Sequence, residues 1–400
     1  MRPTQRMVYG DQHMKAMPVN LYPFQEKFLS DNPNKALLAY ETGCGKTLTA
    51  ILWMKKRPVK HLIIVPKNIK GKWQRDMLLH PDINCEVITK EDFKKYDSKD
   101  IPSLVVDEAD FFGSALFIKG RSKLAEKLYN VIKVNNPFTL LLTATPYRNA
   151  PHTIHTLLCY IHEAPAWKTW QGMCYELKML PYLPRPAYIP TKEWRKVALV
   201  YSLPRIYTAR ISEIATIPTQ HKGIVKIKTT PLSPLDAVSD TAVGVWHEKA
   251  RAESGKEKLE WIKEYVKGHN KTVIVCRYKE QIAYYASELE KYREVFTLTG
   301  DVNDQDSVIE DAKRAFECVL IIQASIGAGF QLAEATEKGY YNFSHMIFAS
   351  MSFSHRDYIQ MQGRILRGDA LQENFYTFLL GGPCDKSVYD RVMLGEDFTI

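Results

Sequence analysis

Seven consecutive residues, Glu41, Thr42, Gly43, Cys44, Gly45, Lys46 and Thr47, combine the types that can hold a phosphate. Glycines let backbone N–H groups close around phosphate oxygens. Lys46 can reach the β- and γ-phosphates, and the Thr47 hydroxyl can ligate Mg²⁺. An apolar run at 36–39 precedes these residues and a helix-like stretch at 48–56 follows them. That order of strand, glycine-rich turn and helix is the context a phosphate-binding loop requires. Tyr40 stands where the strict G-x-x-x-x-G-K-T pattern has its first glycine. A G-K-T tripeptide alone reads equally well as a surface turn before a helix, so the assignment depends on the rest of the chain.

The rest supplies partners. The apolar run 103–106 ends in Asp107, Glu108, Ala109 and Asp110. An acidic pair at the C-terminal end of a parallel strand lies at the edge of the sheet where ligands bind. Asp107 can hold Mg²⁺, mostly through water, and Glu108 can orient and deprotonate an attacking water. A further apolar run, 138–142, leads into Thr143, Ala144, Thr145 and Pro146. Small hydroxyl residues there can hydrogen-bond the acidic loop and relay the state of a γ-phosphate. Within 355–367, Gln360, Gly363, Arg364 and Arg367 form a Q-x-x-G-R-x-x-R pattern. The three-residue spacing predicts both arginines on one helix face. Guanidinium groups facing a γ-phosphate stabilise transition-state charge as arginine fingers. Without the loop and the acidic pair, a solvated basic face would be the simpler reading.

The elements that must position these groups are legible as well. Short apolar runs near 36–40, 61–65, 86–89, 103–107 and 138–143 form one set, and 272–276, 295–298, 319–322, 346–348 and 375–379 form another. They alternate with helical stretches such as 256–267 and 279–291, which indicates two parallel α/β sheets. A length of 400 residues suits two to three domains, and 45% hydrophobic with 25% charged residues is ordinary for a globular chain. No apolar run is long enough to span a bilayer, and the polar start at 1–6 does not read as a signal peptide. The seven cysteines are scattered without a C-x-x-C pair, which argues against a disulfide framework or a zinc site and for a reducing cytoplasmic or nucleoid setting. Cys44 reads as a small filler of the loop rather than a redox sensor.

The formal net charge is +9, and its excess lies between 167 and 230, where eleven Lys and Arg face three Glu. Trp167, Trp170, Tyr175, Tyr182, Tyr188, Trp194, Tyr201 and Tyr207 are interleaved with them. Basic residues alternating with aromatics suggest contact with a nucleic-acid backbone. The plainer alternative is a packing insertion with a solvated face.

Taken in order, these motifs resemble the superfamily-two helicases and translocases. Finer features resemble the Swi/Snf-like branch of double-stranded DNA translocases, including the annealing-helicase type. Leu21, Tyr22, Pro23, Phe24 and Gln25 are similar to that branch's L-x-P-Y-Q adenine-contacting entry. The run 62–66, followed by Trp73 and Gln74, looks like its L-I-V-V-P…W-x-x-E segment. Ser122, Lys123 and Leu124 match its S-K-L, and 217–234 is similar to its interlobe segment. Thr299, Gly300 and Asp301, and then 327–332, resemble two later motifs. The resemblance covers roughly residues 20 to 370. Departures exist. The acidic box reads D-E-A-D rather than DEAH or DESH, a spelling shared with DEAD-box RNA helicases. The P-T-R-E-L-A segment of that family is nevertheless absent, with Val65, Pro66, Lys67 and Asn68 in its place. Thr143 stands for a Ser, and Gln323 stands where a Thr is usual.

The resemblance implies an α/β protein of two tandem RecA-like parallel-sheet lobes with the ATP site in the interlobe cleft. The implied division is lobe one at 1–165, a basic aromatic interlobe segment at 166–235 and lobe two at 236–400. Implied nucleotide contacts are Gln25, Thr42, Gly43, Cys44, Gly45, Lys46, Thr47 and Gly329, with Mg²⁺ held by Thr47 and Asp107. Lys46, Glu108, Arg364 and Arg367 would act in catalysis, and Thr143, Thr145 and Gln360 in coupling. Lys67, Asn68, Lys70, Arg277, Thr299 and Gly300 would follow one phosphate track, reading no bases. The implied activity is ATP-dependent movement along double-stranded or branched DNA by a compact, monomeric motor of bacterial or phage type, with RNA the less favoured partner. Three other readings remain open: a strand-separating DNA or RNA helicase, a motor module of a larger complex, and a non-catalytic nucleic-acid-binding scaffold with a vestigial ATP site.

Overall fold

The computed structural model describes residues 21–97, 99–114, 116, 122–147, 150–179, 185–213, 218–232, 242–302, 304–326, 330, 332, 343–366 and 373–395. In chain order the strands are β1 (Lys35–Tyr40), β2 (His61–Val65), β3 (Cys85–Thr89), β4 (Ser103–Val106), β5 (Phe138–Leu142), β6 (Tyr175–Lys178), β7 (Ala187–Pro190) and β8 (Tyr207–Ala209). They continue with β9 (Gln220–Lys226), β10 (Lys271–Cys276), β11 (Val295–Leu298), β12 (Cys318–Gln323), β13 (His345–Phe348) and β14 (Asn374–Leu380). Two six-stranded sheets result, ordered β3-β2-β4-β5-β1-β8 and β11-β12-β10-β13-β14-β9, and every pairing within them is parallel. The expected α/β fold of two tandem parallel-sheet lobes is therefore observed.

Burial on both faces explains why the strands read as unbroken apolar runs. Successive side chains of a strand point to opposite faces. Leu37, Leu62, Ile64, Leu104, Val106 and Leu141 accordingly enter one core, while Leu38, Ile63, Val65, Val105, Leu140 and Leu142 enter the other. Lobe two repeats the arrangement, with Val273, Leu320 and Phe348 on one side and Ile274, Ile321 and Ile347 on the other. Parallel order also brings the C-terminal ends of all strands in a sheet to one edge, and the loops with chemistry leave from that edge.

All ten sequence-read strands are present, with ends shifted by no more than a residue or two. Among the described residues, four others were not legible. Within 166–235, β8 adds to the edge of the first sheet beside β1 and β9 adds to the edge of the second beside β14. Between them, β6 and β7 form an antiparallel hairpin outside both sheets. Most aromatics expected to face nucleic acid are instead packing groups. Trp170 and Trp194 are buried in the first core, Trp167, Tyr175 and Tyr201 pack against it, and Tyr207 lies edge-on to Phe28 at 4.8 Å. The packing alternative accounts for these residues, since a two-ring indole gains more from an apolar core than from water. Tyr182 lies outside the described residues.

Lobe two contains a buried ion pair. The Lys258 Nζ, with no exposed surface, donates to Asp385 Oδ2 at 2.6 Å and to the Ala349 carbonyl at 2.7 Å. Removing one member strands the other charge in a low-dielectric interior. Lys258→Met is therefore expected to lower unfolding free energy by about 3–5 kcal/mol, read by urea denaturation. Joint replacement with Asp385→Leu should recover much of that loss. A single variant as stable as the parent would contradict the buried-pair assignment.

Candidate active site in the interlobe cleft

A cleft of 1110 Å³ lies between the lobes and is lined by Thr42, Gly43, Gly45, Lys46 and Thr47, by Asp107 and Glu108, and by Gly363 and Arg364 from lobe two. The three motifs read from sequence thus meet in one place. The loop leaves the end of β1 and ends at Gly45, the N-cap of the helix Lys46–Lys55. Gly43 and Gly45 have φ of +94° and +73°, the left-handed region that favours glycine. A Cβ on Gly45 would fall 2.5 Å from Gln25 Nε2, and one on Gly43 would fall 3.2 Å from the Ile211 side chain. Tyr40 explains the missing first glycine. Its ring is fully buried at the end of β1, edge-on to Phe24 at 5.0 Å, so no side chain crowds the loop from that position.

Gln25 braces the loop from behind. Its Nε2 lies 3.2 Å from Thr49 Oγ1 and 3.4 Å from the Cys44 carbonyl, and its Oε1 accepts from the Tyr22 amide at 3.0 Å. Tyr22, not Gln25, lines the cleft. Cys44 is fully buried, and burial pushes its thiol up to about 11, consistent with a filler. Lys46 Nζ donates to the carbonyls of Tyr40 at 2.9 Å and Glu41 at 3.3 Å. Burial lowers the Lys46 pKa, and the carboxylates of Glu108 and Asp107 oppose that shift.

The acidic loop is fixed from several directions. Trp73, from the segment after β2, donates its indole N–H to Asp107 Oδ2 at 2.8 Å, and the Glu108 amide donates to Asp107 Oδ1 at 2.9 Å. Burial, followed by the Glu108 charge, raises the Asp107 pKa. Glu108 has φ +50°, a left-handed conformation that is uncommon for a side-chain-bearing residue and is frequently retained at functional sites. Thr143 Oγ1 donates to Asp110 Oδ1 at 3.2 Å and accepts from the Thr145 amide at 3.0 Å. The expected link from the third motif to the acidic loop is therefore present.

Lobe two reaches Glu108 directly. Gln360 Nε2 donates to Glu108 Oε1 at 3.2 Å. Arg356 was not anticipated. Its Nη2 donates to Glu108 Oε2 at 3.0 Å, its Nε lies 3.5 Å from Asp110 Oδ2, and its guanidinium stacks 4.0 Å from the Phe111 ring centroid. Burial opposes the Arg356 charge, but Asp110 and Glu108 outweigh it and hold its pKa above the usual value. The available signal was helical spacing. Arg356 and Gln360 are four apart in the helix His355–Gln362, so they share a face.

That helix stops earlier than expected. Gly363 is its C-cap, and the Arg364 amide bonds back only three residues, to the Met361 carbonyl at 2.9 Å. Glycine weakens helix continuation, so Arg364 lies in the following turn rather than within the helix. The Arg364 Nη1 donates to the Phe330 carbonyl, and burial lowers the guanidinium pKa to about 10, which leaves it charged at neutral pH. Arg367 and Gly329 lie outside the described residues.

The donor set suits a nucleoside triphosphate with a hard divalent cation. Backbone amides at a helix N-terminus and Lys46 fit phosphate oxygens. The Thr47 hydroxyl and the Asp107 carboxylate are oxygen donors that fit Mg²⁺, and a cation there would offset the burial, and then the Glu108 charge, that raise the Asp107 pKa.

The expected phosphate-track residues all follow C-terminal ends of strands. Lys67 and Asn68 are exposed after β2, and Lys70 lies 3.5 Å from Asp92. Arg277, after β10, is half-buried with its guanidinium 3.3 Å from the Phe353 ring centroid. Thr299 and Gly300 follow β11, and the Gly300 amide donates to Gln323 Oε1 at 3.2 Å. The unusual Gln323 thus occupies an amide expected to meet a phosphate.

Residues 257–369 match the model of the helicase conserved C-terminal domain. The two lobes superpose on S. cerevisiae Dbp5 bound to RNA and ADP BeF3, with a TM-score of 0.55 and 13% identity over 94% of this chain and 87% of that one. Residues 257–369 thus match a helicase C-terminal domain, and the two-lobe fold is shared with Dbp5. A point variant of Dbp5 with the same ligands gives a TM-score of 0.53 and 13% identity, covering 93% of this chain and 86% of its own. The Sulfolobus solfataricus SWI2/SNF2 ATPase core domain aligns at 14% identity over 94% and 88% of the two chains, with a TM-score of 0.39. No curated protein sequence matches this chain.

Proposed function

We propose that this helicase-like chain hydrolyses ATP and uses the cycle to move along duplex or branched DNA. The observation that carries the reading is the double engagement of Glu108 by Arg356 and Gln360 across the cleft. A base candidate on one lobe held by side chains of the other makes turnover and interlobe geometry depend on the same contacts. Mg²⁺, when bound at Thr47 and Asp107, supplies charge neutralisation at the phosphates. Glu108 orients and deprotonates the attacking water, Arg364 offsets charge on the transferring phosphoryl group, and release of the product lets the lobes part.

The Swi/Snf-like motifs at Pro66, Trp73 and 122–124 support the duplex substrate, and Trp73 has a physical task there, orienting Asp107. Lys46, Asp107, Glu108 and Arg364 in a single cleft speak against a vestigial site. A second reading, strand separation, is favoured by the β6–β7 hairpin, which stands outside both sheets. ATPase rates measured with duplex, forked and single-stranded DNA and with RNA distinguish the two. Duplex or forked DNA should stimulate most, chelating Mg²⁺ should abolish turnover, and a triplex-forming third strand should be displaced with ATP. Efficient unwinding of a tailed duplex without triplex displacement would favour the second reading. Stimulation by RNA alone would overturn the DNA assignment.

A further inference from the structure

The hairpin β6–β7 carries an exposed apolar face. Its register places Tyr175 opposite Pro190 and Leu177 opposite Tyr188. Residues two apart share a face, so both pairs lie on the same side. At the base this side belongs to the core, where Tyr175 packs 6.0 Å from the Trp167 ring and its hydroxyl lies 3.2 Å from His152 Nδ1. One pair further out, the same side enters solvent. Leu177 is 58% exposed and Tyr188 56%, and the next residue along, Met179, is 65% exposed. The reverse face sets Glu176 opposite Ile189 and Lys178 opposite Ala187, with Lys178 paired to Glu176 at 2.6 Å. Over 167–197, six Lys and Arg stand against two Glu.

We propose that this hairpin is a base-contacting element, in which Leu177 and Tyr188 stack on an unpaired base or the terminal pair at a DNA fork or branch. The inference rests on the nucleic-acid motor reading. Every base presents a π-face, so an aromatic and an aliphatic side chain can receive it without reading sequence. Apolar wedges work in the same manner when they enter base steps. The surrounding cations, including Lys168, Arg185, Lys192 and Lys196, are exposed and suit the phosphates on either side. A partner without negative charge would gain from the apolar pair but not from the cation excess. The hairpin is anchored to the first lobe's core through Tyr175 and Trp170, so it would hold a junction at a fixed distance from the moving lobe.

The test uses the full chain and a forked duplex with 2-aminopurine at the junction. Fluorescence at that position reads base contact without requiring hydrolysis. The double variant Leu177→Ser/Tyr188→Ser is expected to weaken the junction signal and fork affinity by roughly tenfold or more. ATPase stimulated by blunt duplex should remain within about twofold, because the hairpin is outside the cleft residues and phosphate contacts dominate duplex affinity. Both side chains are exposed, and Tyr188→Phe, which keeps the ring, should retain the junction signal. An unchanged signal in the double variant overturns the proposal. A change in sedimentation with the signal intact also overturns it, by making the face a protein contact. Absence of nucleic-acid binding by the parent chain would overturn the motor reading itself, and is separable because it precedes any comparison of variants.

Discussion

Glu108→Gln is expected to bind ATP and to hydrolyse it about 10²–10⁴-fold more slowly than the parent. The substitution is nearly isosteric, so the left-handed backbone at Glu108 and the Asp107 hydrogen bonds from Trp73 and the Glu108 amide survive. What is lost is the ability to accept a proton from water. Arg356 also loses its ion pair with residue 108 but keeps the Asp110 carboxylate 3.5 Å from its Nε. Single-turnover hydrolysis together with fluorescent-nucleotide binding measures the two effects separately. Unchanged turnover would remove Glu108 from the base role. Lost nucleotide binding would mean that its charge serves mainly to hold the lobes together through Arg356 and Gln360.

Arg364→Ala should cost roughly 10³-fold or more in turnover, with nucleic-acid affinity nearly unchanged. Arg364 lines the cleft beside Gly363, and an ideal Cβ on Gly363 would fall 3.4 Å from Thr42 Cγ2, so its segment abuts the phosphate loop. Its guanidinium is held by the Phe330 carbonyl and packs 5.2 Å from that ring, which limits its freedom before any substrate arrives. With its pKa near 10, Arg364 stays protonated between pH 6 and 8, so its titration does not shape the pH profile over that range. If Arg364→Ala instead weakened DNA binding and spared hydrolysis, the residue would belong to the backbone track. Arg356→Ala offers the contrast. Its side chain touches Glu108 and Asp110 rather than the phosphate loop, so its loss should disturb lobe closure and positioning of the base. An exposed interlobe pair, Arg75 with Asp306 at 2.6 Å, is a poor substitute, since solvent-exposed ion pairs contribute little.

Some features were legible because they are local. A buried parallel strand is an apolar run whatever its neighbours, so ten strands could be read directly. The phosphate loop was legible from residue types within a single turn, even with Tyr40 in place of a glycine, because the glycines that adopt left-handed φ, Gly43 and Gly45, were both present. The edge strands β8 and β9 were missed for the opposite reason. Each is fixed by a partner distant in sequence, and β9 is exposed along most of its length, so it carries no apolar signature. The aromatic residues between 167 and 207 showed that composition alone cannot separate a nucleic-acid surface from a core. Trp170 is fully buried and Tyr188 is largely exposed, although both lie among the same cations.

The sequence by itself determined the two parallel sheets, the phosphate loop, the acidic pair and the existence of a basic motif in the second half. Tertiary structure alone decided which basic side chain meets which acid. Arg356 and Glu108 are 248 positions apart, and their ion pair exists only because the two lobes pack with their C-terminal strand edges facing one cleft. Helix termination at Gly363 then turned Arg364 away from the face of Arg356 and Gln360, giving the acidic residue and the phosphate loop different partners from one short motif. Periodicity and spacing follow from backbone geometry within a few residues. Contacts across a cleft follow from the relative placement of two cores, which no local pattern encodes.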